Sequence, residues 1–298
     1  MNITVIGTAS KHFTFHVDQL PVRDEILRAD RFSVSVSGRA VLQAVQAARL
    51  GATVSILCKF SDDAASAELI RMLMSENIRV LTLERSPLET SIQIGVFDAF
   101  NHHFFINSGQ ASYDLNPIDL ELYTTRIRES TVLLLDQNIP PTTMSAILAL
   151  TALHNPFVIL NPSPPYRLQP EFYPYISCIT PNADELAKLT GSSDLEEGVS
   201  ILLNWGVKHV VVTLGERGCY YAKVDEAYFV EAFSIGPVDS SGAGDAFNAA
   251  LGVMIAQGKT MRESLIFANA VGALCALKEG SVESLPYLAD VDRFIKEY

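Results

Sequence analysis

Val238-Asp239-Ser240-Ser241-Gly242-Ala243-Gly244-Asp245-Ala246-Phe247 is the most informative stretch of this 298-residue chain. Glycines at 242 and 244 let a backbone turn tightly into the helix expected over 242–256. The unpaired N–H groups and positive dipole end of such a helix face outward together, which makes a site for phosphate oxygens. Asp245 falls in the same first turn, where the helix end is expected to keep a carboxylate ionised. It could there accept a proton from a hydroxyl attacking a phosphoryl group. Donors for developing charge, a base and positioning are what phosphoryl transfer asks of a protein. Alone, the G-x-G-D pattern is equally that of an ordinary helix start with an acidic first turn.

Downstream of this turn the chain reads as helical, over 242–256, 261–277 and 288–297. Gly258 closes the first of these helices and Gly280 follows the second, both suited to left-handed caps. Upstream, short apolar strands alternate with amphipathic helices. Residues 3–7 and 53–60 read as strands. Between them, 38–50 carries Val41, Leu42, Val45 and Ala48 at helical spacing, with Ser37 as N-cap and Gly51 as stop. Residues 62–77 repeat the pattern, with Leu69, Ile70, Leu73 and Met74 on one face. Strands at 132–135, 157–160, 178–180 and 209–213 are each followed by a loop and a helix, the signature of βαβ units around a buried parallel sheet. Two regions break the alternation: strands at 13–18 and 31–36 with no helix between them, and a hairpin over 90–99 and 102–106 turning at Phe100-Asn101. Ile92, Ile94 and Val96 alternate with Ser91, Gln93 and Gly95, which fits a sheet with one face partly exposed. Four such strands inserted at two points predict a small lid, with edge strands of the main sheet as the alternative. His102 and His103, adjacent on a strand, face opposite sides and cannot form one facing metal pair.

Composition bounds the function. With 48% hydrophobic and 19% charged residues the chain is globular. Its formal net charge of −12 argues against a general binder of nucleic acid or membrane surface, while leaving room for a small anionic ligand in a local pocket. Cys58, Cys178, Cys219 and Cys275 form no C-x-x-C pair and read as buried thiols in a reducing compartment. Neither a signal peptide nor an 18-residue apolar run is visible, so the expected location is the cytoplasm.

Taken in order along the chain, the motifs resemble those of the ribokinase-like (pfkB-type) carbohydrate kinases, over nearly the whole length. The family's D-T-x-G-A-G-D-x-F appears as Asp239-Ser240-Ser241-Gly242-Ala243-Gly244-Asp245-Ala246-Phe247, and its N-x-x-E as Asn182-Ala183-Asp184-Glu185 after Ile179-Thr180-Pro181. T-L-G-x-x-G appears as Thr213 to Gly218, N-P-x-P as Asn161 to Pro164, and A-A-R-L-G-A as Ala47 to Ala52. The resemblance implies one α/β domain spanning residues 1–298, with a Rossmann-like parallel-sheet sandwich and a small β-sheet lid inserted at about 13–36 and 90–106. It implies Asp245 as catalytic base and Gly242, Ala243 and Gly244 as a backbone anion hole. Asn182 and Glu185 would orient waters on a nucleotide-bound Mg²⁺, although the same pair equally forms a helix capping box. Thr213 and Gly215 would line ATP, with Asn269 at the edge of the base pocket. Asp239, Ser241, Gly280 and Ser284 match positions that bind a monovalent cation, such as K⁺, in this family. The family lid often mediates dimers, so a homodimer is expected.

The sugar end departs from the family pattern. Where the family carries an aspartate five residues after the first strand's glycine, this chain has His12. The G-G-K-G-x-N signature reads Ser37-Gly38-Arg39-Ala40-Val41-Leu42, so its lysine has become Arg39 and its asparagine Leu42. These changes remove acceptors for sugar hydroxyls and leave Lys11, His12 and Arg39 near one mouth. One reading is an acidic or phosphorylated sugar derivative gripped by Arg39; the other is a drifted pocket whose basic residues point to solvent. The expected reaction moves the γ-phosphoryl group of ATP to a hydroxyl, a hydroxymethyl for preference, of a sugar or sugar derivative. A nucleoside kinase, with Leu42 and Phe13 or Phe105 forming a slot for the base, is one alternative. A non-catalytic binding or regulatory descendant is the other.

Overall fold

Unbroken runs of branched apolar residues become strands covered on both faces, whereas the alternating segments pair apart from them. The computed structural model describes every residue except 82–84, 101 and 153, and the backbone alone at 103. Its strands are Asn2–Ile6 (β1), Ser10–His16 (β2), Arg31–Ser37 (β3), Thr53–Leu57 (β4), Arg79–Val80 (β5), Ser91–Phe97 (β6) and His103–Asn107 (β7). They continue with Val132–Asp136 (β8), Phe157–Asn161 (β9), Cys178–Ile179 (β10), His209–Thr213 (β11), Cys219–Lys223 (β12) and Glu226–Val230 (β13). The helices are Arg39–Arg49 (α1), Ala64–Ser75 (α2), Pro117–Glu121 (α3), Thr124–Arg128 (α4) and Pro141–Thr151 (α5). After these come Ala183–Thr190 (α6), Leu195–Asn204 (α7), Ala243–Ala256 (α8), Met261–Ala276 (α9) and Leu288–Glu297 (α10).

The main sheet runs β13-β12-β11-β10-β9-β8-β1-β4-β5 and is parallel from β11 through β5, with an antiparallel pair at the β13 edge. Period-two alternation splits its side chains between two cores. Val132 and Leu134 of β8 join the core under α1, α2, α8, α9 and α10, while Leu133 and Leu135 join the one under α3 to α7. From β1 the chain proceeds to β4 and β5 on one side, then returns to lay β8 on the other. Such a reversal leaves a crevice at the carboxyl ends of the two strands, the usual ligand site of an open parallel sheet.

Sheet β3-β2-β6-β7 stands apart, so the four alternating strands are not edges of the main sheet. Its register puts His12, Thr14, His16, Gln93, Gly95, Phe97 and Phe105 on one face, and Phe13, Phe15, Val34, Ile92, Ile94, Val96, Phe104 and Ile106 on the other. The apolar face is the more open one: Phe32 is 52% exposed and Ile106 57%, whereas Ser91 and Gly95 on the other face are buried. Asn101 of the expected turn and the side chain of His103 lie outside the described residues. His102 is exposed and pairs with Asp98 at 2.9 Å.

Several local expectations are revised. Ser37 does not cap α1; Gly38 takes that position at φ 110, while Ser37 ends β3 and accepts a hydrogen bond from Ser281 Oγ at 2.8 Å. Met74 is 64% exposed, because α2 packs through Leu69 and Leu73. Gly258 turns the chain out of α8 at φ 75, its N–H donating to Ile255. Gly280, at φ 117, lies three residues past the α9 cap residue Leu277 and bends the following loop instead of capping the helix. All four cysteines are buried free thiols. Among the described residues, no helix is long and apolar enough to cross a membrane.

Candidate active site

The crevice between β1 and β8 is built from the bottom by a close approach. A side chain at Gly7 would collide with Asp136, its Cβ falling 2.9 Å from Oδ2. Asp136, the carboxylate that ends an otherwise apolar strand, is fully buried and fully bonded. Its Oδ2 accepts from Thr8 N–H at 3.0 Å and from the Thr8 hydroxyl, and its Oδ1 from Asn138 N–H at 3.0 Å. It thereby fixes the strand-end loop on which the small sheet hangs. Burial raises its pKa, against the opposing pull of Arg39 and these donors.

The left-handed Gly242 (φ 79) starts α8 over this crevice. Only Gly242 needs glycine's conformational freedom; Gly244 has ordinary helical geometry, and what it supplies is open space where a Cβ would stand. Of the three anion-hole residues expected, Ala243 donates its N–H to Ser240 at 3.2 Å. The amides of Gly242, Gly244 and Asp245 have no protein acceptor among the described residues. The helix therefore offers a cluster of free donors one residue displaced from the expected set.

Asp245 departs from expectation in charge. It is buried, and burial pushes its pKa up to about 6, against the influence of Arg39 and of a hydrogen bond from Gln43, with Asp136 and Glu185 adding to the rise. The helix end alone does not hold it in the ordinary carboxylate range. At neutral pH it remains mostly ionised, and it is a stronger base than a surface aspartate.

The three cations expected at one mouth do not meet. Lys11 and His12 alternate on β2; Lys11 turns to α2 and pairs with Glu68 at 2.6 Å. His12 faces the site, where burial and then Arg39 push its pKa down to about 4, so it is neutral. Arg39, half-buried at the start of α1, lies in the field of Asp245, Asp136 and Glu185, which raise its pKa against the effect of burial. Leu42 is buried, with Cδ1 only 3.3 Å from where a Gly242 Cβ would stand. Phe13 lies on the wrong face of β2 to build a slot with Leu42, whereas Phe105 shares the His12 face, edge-on to Phe97 at 5.6 Å.

Asn182 and Glu185 form the reciprocal capping box of α6: Glu185 N–H donates to Asn182 Oδ1 at 2.8 Å and Asn182 N–H to Glu185 Oε2 at 2.9 Å. Asn182 is exposed and Glu185 half-buried, and Glu185 Oε1 has no protein partner among the described residues, which leaves it open to a hydrated cation. A bridge joins Asn182 to Thr213, bringing this box beside the turn at Gly215, around which a Cβ would meet nothing. Asn269 instead ties α9 to the end of β13, its amide donating to Val230 O at 3.2 Å and Glu231 O at 3.0 Å. In the candidate monovalent-cation loop, Asp239 Oδ1 accepts from Ser241 N–H at 2.9 Å. Cys275 Sγ lies between Ser241 O (3.8 Å) and Ser284 Oγ (3.3 Å), and Gly280 turns at φ 117.

Sequence reading missed three residues that the structure brings here. Gln43 donates to Asp245, Asp136 anchors Thr8, and Gln93 lies opposite His12. A carboxylate ending an all-apolar strand, and a glutamine one turn after Arg39, were the available signals.

The profile of the pfkB family carbohydrate kinases matches residues 1–288. The ribokinase of Bacillus subtilis is 27% identical over 294 residues, covering 99% of each chain. The deoxyribokinase of Salmonella typhimurium is 26% identical over 302 residues, again covering 99% of each. The solved structure of Arabidopsis thaliana ribokinase complexed with ribose and ATP superposes with a TM-score of 0.86 at 23% identity, covering 99% of this chain and 98% of that one.

Proposed function

The chain belongs to the pfkB family of carbohydrate kinases, and we propose that it moves the γ-phosphoryl group of ATP to a hydroxymethyl oxygen of a small neutral sugar. Its identity as an ATP-dependent sugar kinase follows from the family; the acceptor atom and the residue roles are this reading's own. One observation carries it: a buried carboxylate of raised pKa in the first turn of a helix whose leading amides are free, over the β1–β8 crevice.

In this reading the acceptor hydroxyl gives its proton to Asp245 as its oxygen forms the new bond to phosphorus, and the bond from phosphorus to the ADP oxygen breaks. The free N–H groups of Gly242, Gly244 and Asp245 meet the charge on the transferring phosphoryl oxygens. Glu185 is the residue suited to hold waters of a nucleotide-bound Mg²⁺, which would supply charge neutralisation on the phosphates; Asn182 has its carbonyl committed to the cap. Thr213 and Gly215 border the nucleotide. The cation reading of the Asp239, Ser241, Gly280 and Ser284 loop rests on its open oxygens, one of them Asp239 Oδ2. His12, Gly38, Arg39 and Leu42 form the sugar end. A neutral His12 and an Arg39 already facing three carboxylates favour an uncharged sugar over an acidic or phosphorylated one.

The test is ADP release with Mg·ATP across pentoses, deoxypentoses, hexoses, sugar acids, sugar phosphates and nucleosides, with Asp245→Asn as control. Turnover is expected with a neutral sugar and is expected to collapse in the variant. A preference for nucleosides would move the assignment to the Phe97–Phe105 face, and a preference for sugar acids would reverse the charge argument.

The half-exposed apolar face of the small sheet supports a homodimer formed through it, since an open face of this kind seldom stays in water. Ile106→Glu combined with Val34→Lys is expected to halve the mass measured by light scattering. A variant pair that leaves the mass unchanged would remove this interface.

A further inference from the structure

The helix behind the base carries a polar group that the phosphoryl-transfer reading has not used. In α1 every residue from Ala40 to Ala47 is buried, Gln43 being 1% exposed. A glutamine in such packing costs stability unless its amide is matched, and a methionine of the same length would fill the space without that requirement. The match is Asp245: Gln43 Nε2 donates to Oδ1 at 2.9 Å, the one side-chain hydrogen bond to that carboxylate among the described residues. Asp245 Oδ2 has no protein partner among those residues.

We infer that Gln43 is a positioning residue for the reaction, holding Asp245 by Oδ1 so that Oδ2 is presented to the acceptor hydroxyl. The inference rests on the reading of Asp245 as the base. A carboxylate with one free oxygen can rotate about its χ2 angle, and rotation would trade the reactive lone pair against the wall of α1. One fixed donor removes that freedom. The donor's neutrality matters as well. Arg39, one turn earlier on the same helix, acts on Asp245 through its field and makes no direct bond to it among the described residues. A cation in direct contact would stabilise the carboxylate so strongly that its basicity would fall. A neutral amide in contact, with the cation held off, leaves a stronger base than a surface aspartate. The other charged or titratable groups around Asp245 are Asp136 at the end of β8, Glu185 on α6 and Cys275 on α9.

The experiment compares wild type, Gln43→Met and Gln43→Glu, each alone and with Asp245→Asn, using the sugar that turns over best. Its readouts are the pH profile of kcat/KM, a carbon-13 NMR titration of the Asp245 carboxyl and thermal unfolding. Gln43→Met should raise the acid limb and the NMR titration together by about half to one pH unit. It should lower kcat at pH 6 by roughly tenfold, leave the KM for ATP within about twofold, and lower the melting temperature more at pH 7.5 than at pH 4, where Asp245 is protonated. Gln43→Glu should move both titrations further in the same direction, through like-charge repulsion. In the Asp245→Asn background neither change should lower turnover further. Unmoved titrations, with a melting temperature lowered equally at pH 4 and pH 7.5, would mean a purely structural glutamine and overturn the proposal, as would additive losses in the double variants. Full turnover by Asp245→Asn alone would instead remove the base, and the positioning role with it.

Discussion

Asp245→Asn is expected to abolish turnover and, at the same time, to make the protein more stable. The loss follows from removing the proton acceptor: about 10²- to 10⁴-fold in kcat, with little change in ATP binding. The gain follows from burial. The folded pKa of about 6 lies above the ordinary 3.8, so the folded state keeps its proton longer than the unfolded one. The contribution of Asp245 to stability is therefore fullest below about pH 4 and declines as pH rises towards 6. Above that range the buried charge costs about 3 kcal/mol, the equivalent of roughly two pH units. Asparagine has the same shape, still accepts from Gln43 and carries no charge, so it relieves that cost. Thermal unfolding at pH 7.5 should show the variant melting about 5 °C above wild type, with the gap closing by pH 4. A variant that melts lower at pH 7.5, or that keeps a tenth of the turnover, would contradict this account. The wild type thus keeps its base at the expense of the fold, as strained functional sites commonly do.

Gly38→Ala should produce a large structural loss. At φ 110 an L side chain is strained, and an added Cβ would sit 2.8 Å from Ala9 Cα, 2.9 Å from Thr8 C and closer still to the Thr8 carbonyl oxygen. These are backbone atoms of the loop that Asp136 pins, so they cannot swing aside as a flexible side chain would. Strain and overpacking together should cost about 3–5 kcal/mol and lower the melting temperature by roughly 10 °C. Displacing Thr8 and Ala9 would also shift His12 and Arg39, so the KM for sugar should rise more than the KM for ATP. Gly51→Ala is the matched control: its φ of 89 is also left-handed, yet nothing lies within 4 Å of the added carbon. It should lose only about 1 kcal/mol. Equal losses at the two positions, measured by urea unfolding, would show that the Thr8 approach is not rigid.

The amino-acid sequence by itself determined the parallel-sheet sandwich, because unbroken branched runs such as Val132–Leu135 suit only strands buried on both faces. It also located the turn at Gly242, since local chemistry sets a helix start. Tertiary structure decided what each polar residue meets. Lys11 and His12 are neighbours in sequence, yet one pairs with Glu68 while the other is half-buried and neutral beside Arg39. The apolar face of the small sheet turned outward, because alternation states that two faces differ and not which one is covered. The pKa of Asp245 was likewise beyond local reading. It depends on desolvation under α1 and on the charges of Arg39, Asp136 and Glu185, which lie 60 or more positions away along the chain and are gathered only by the fold.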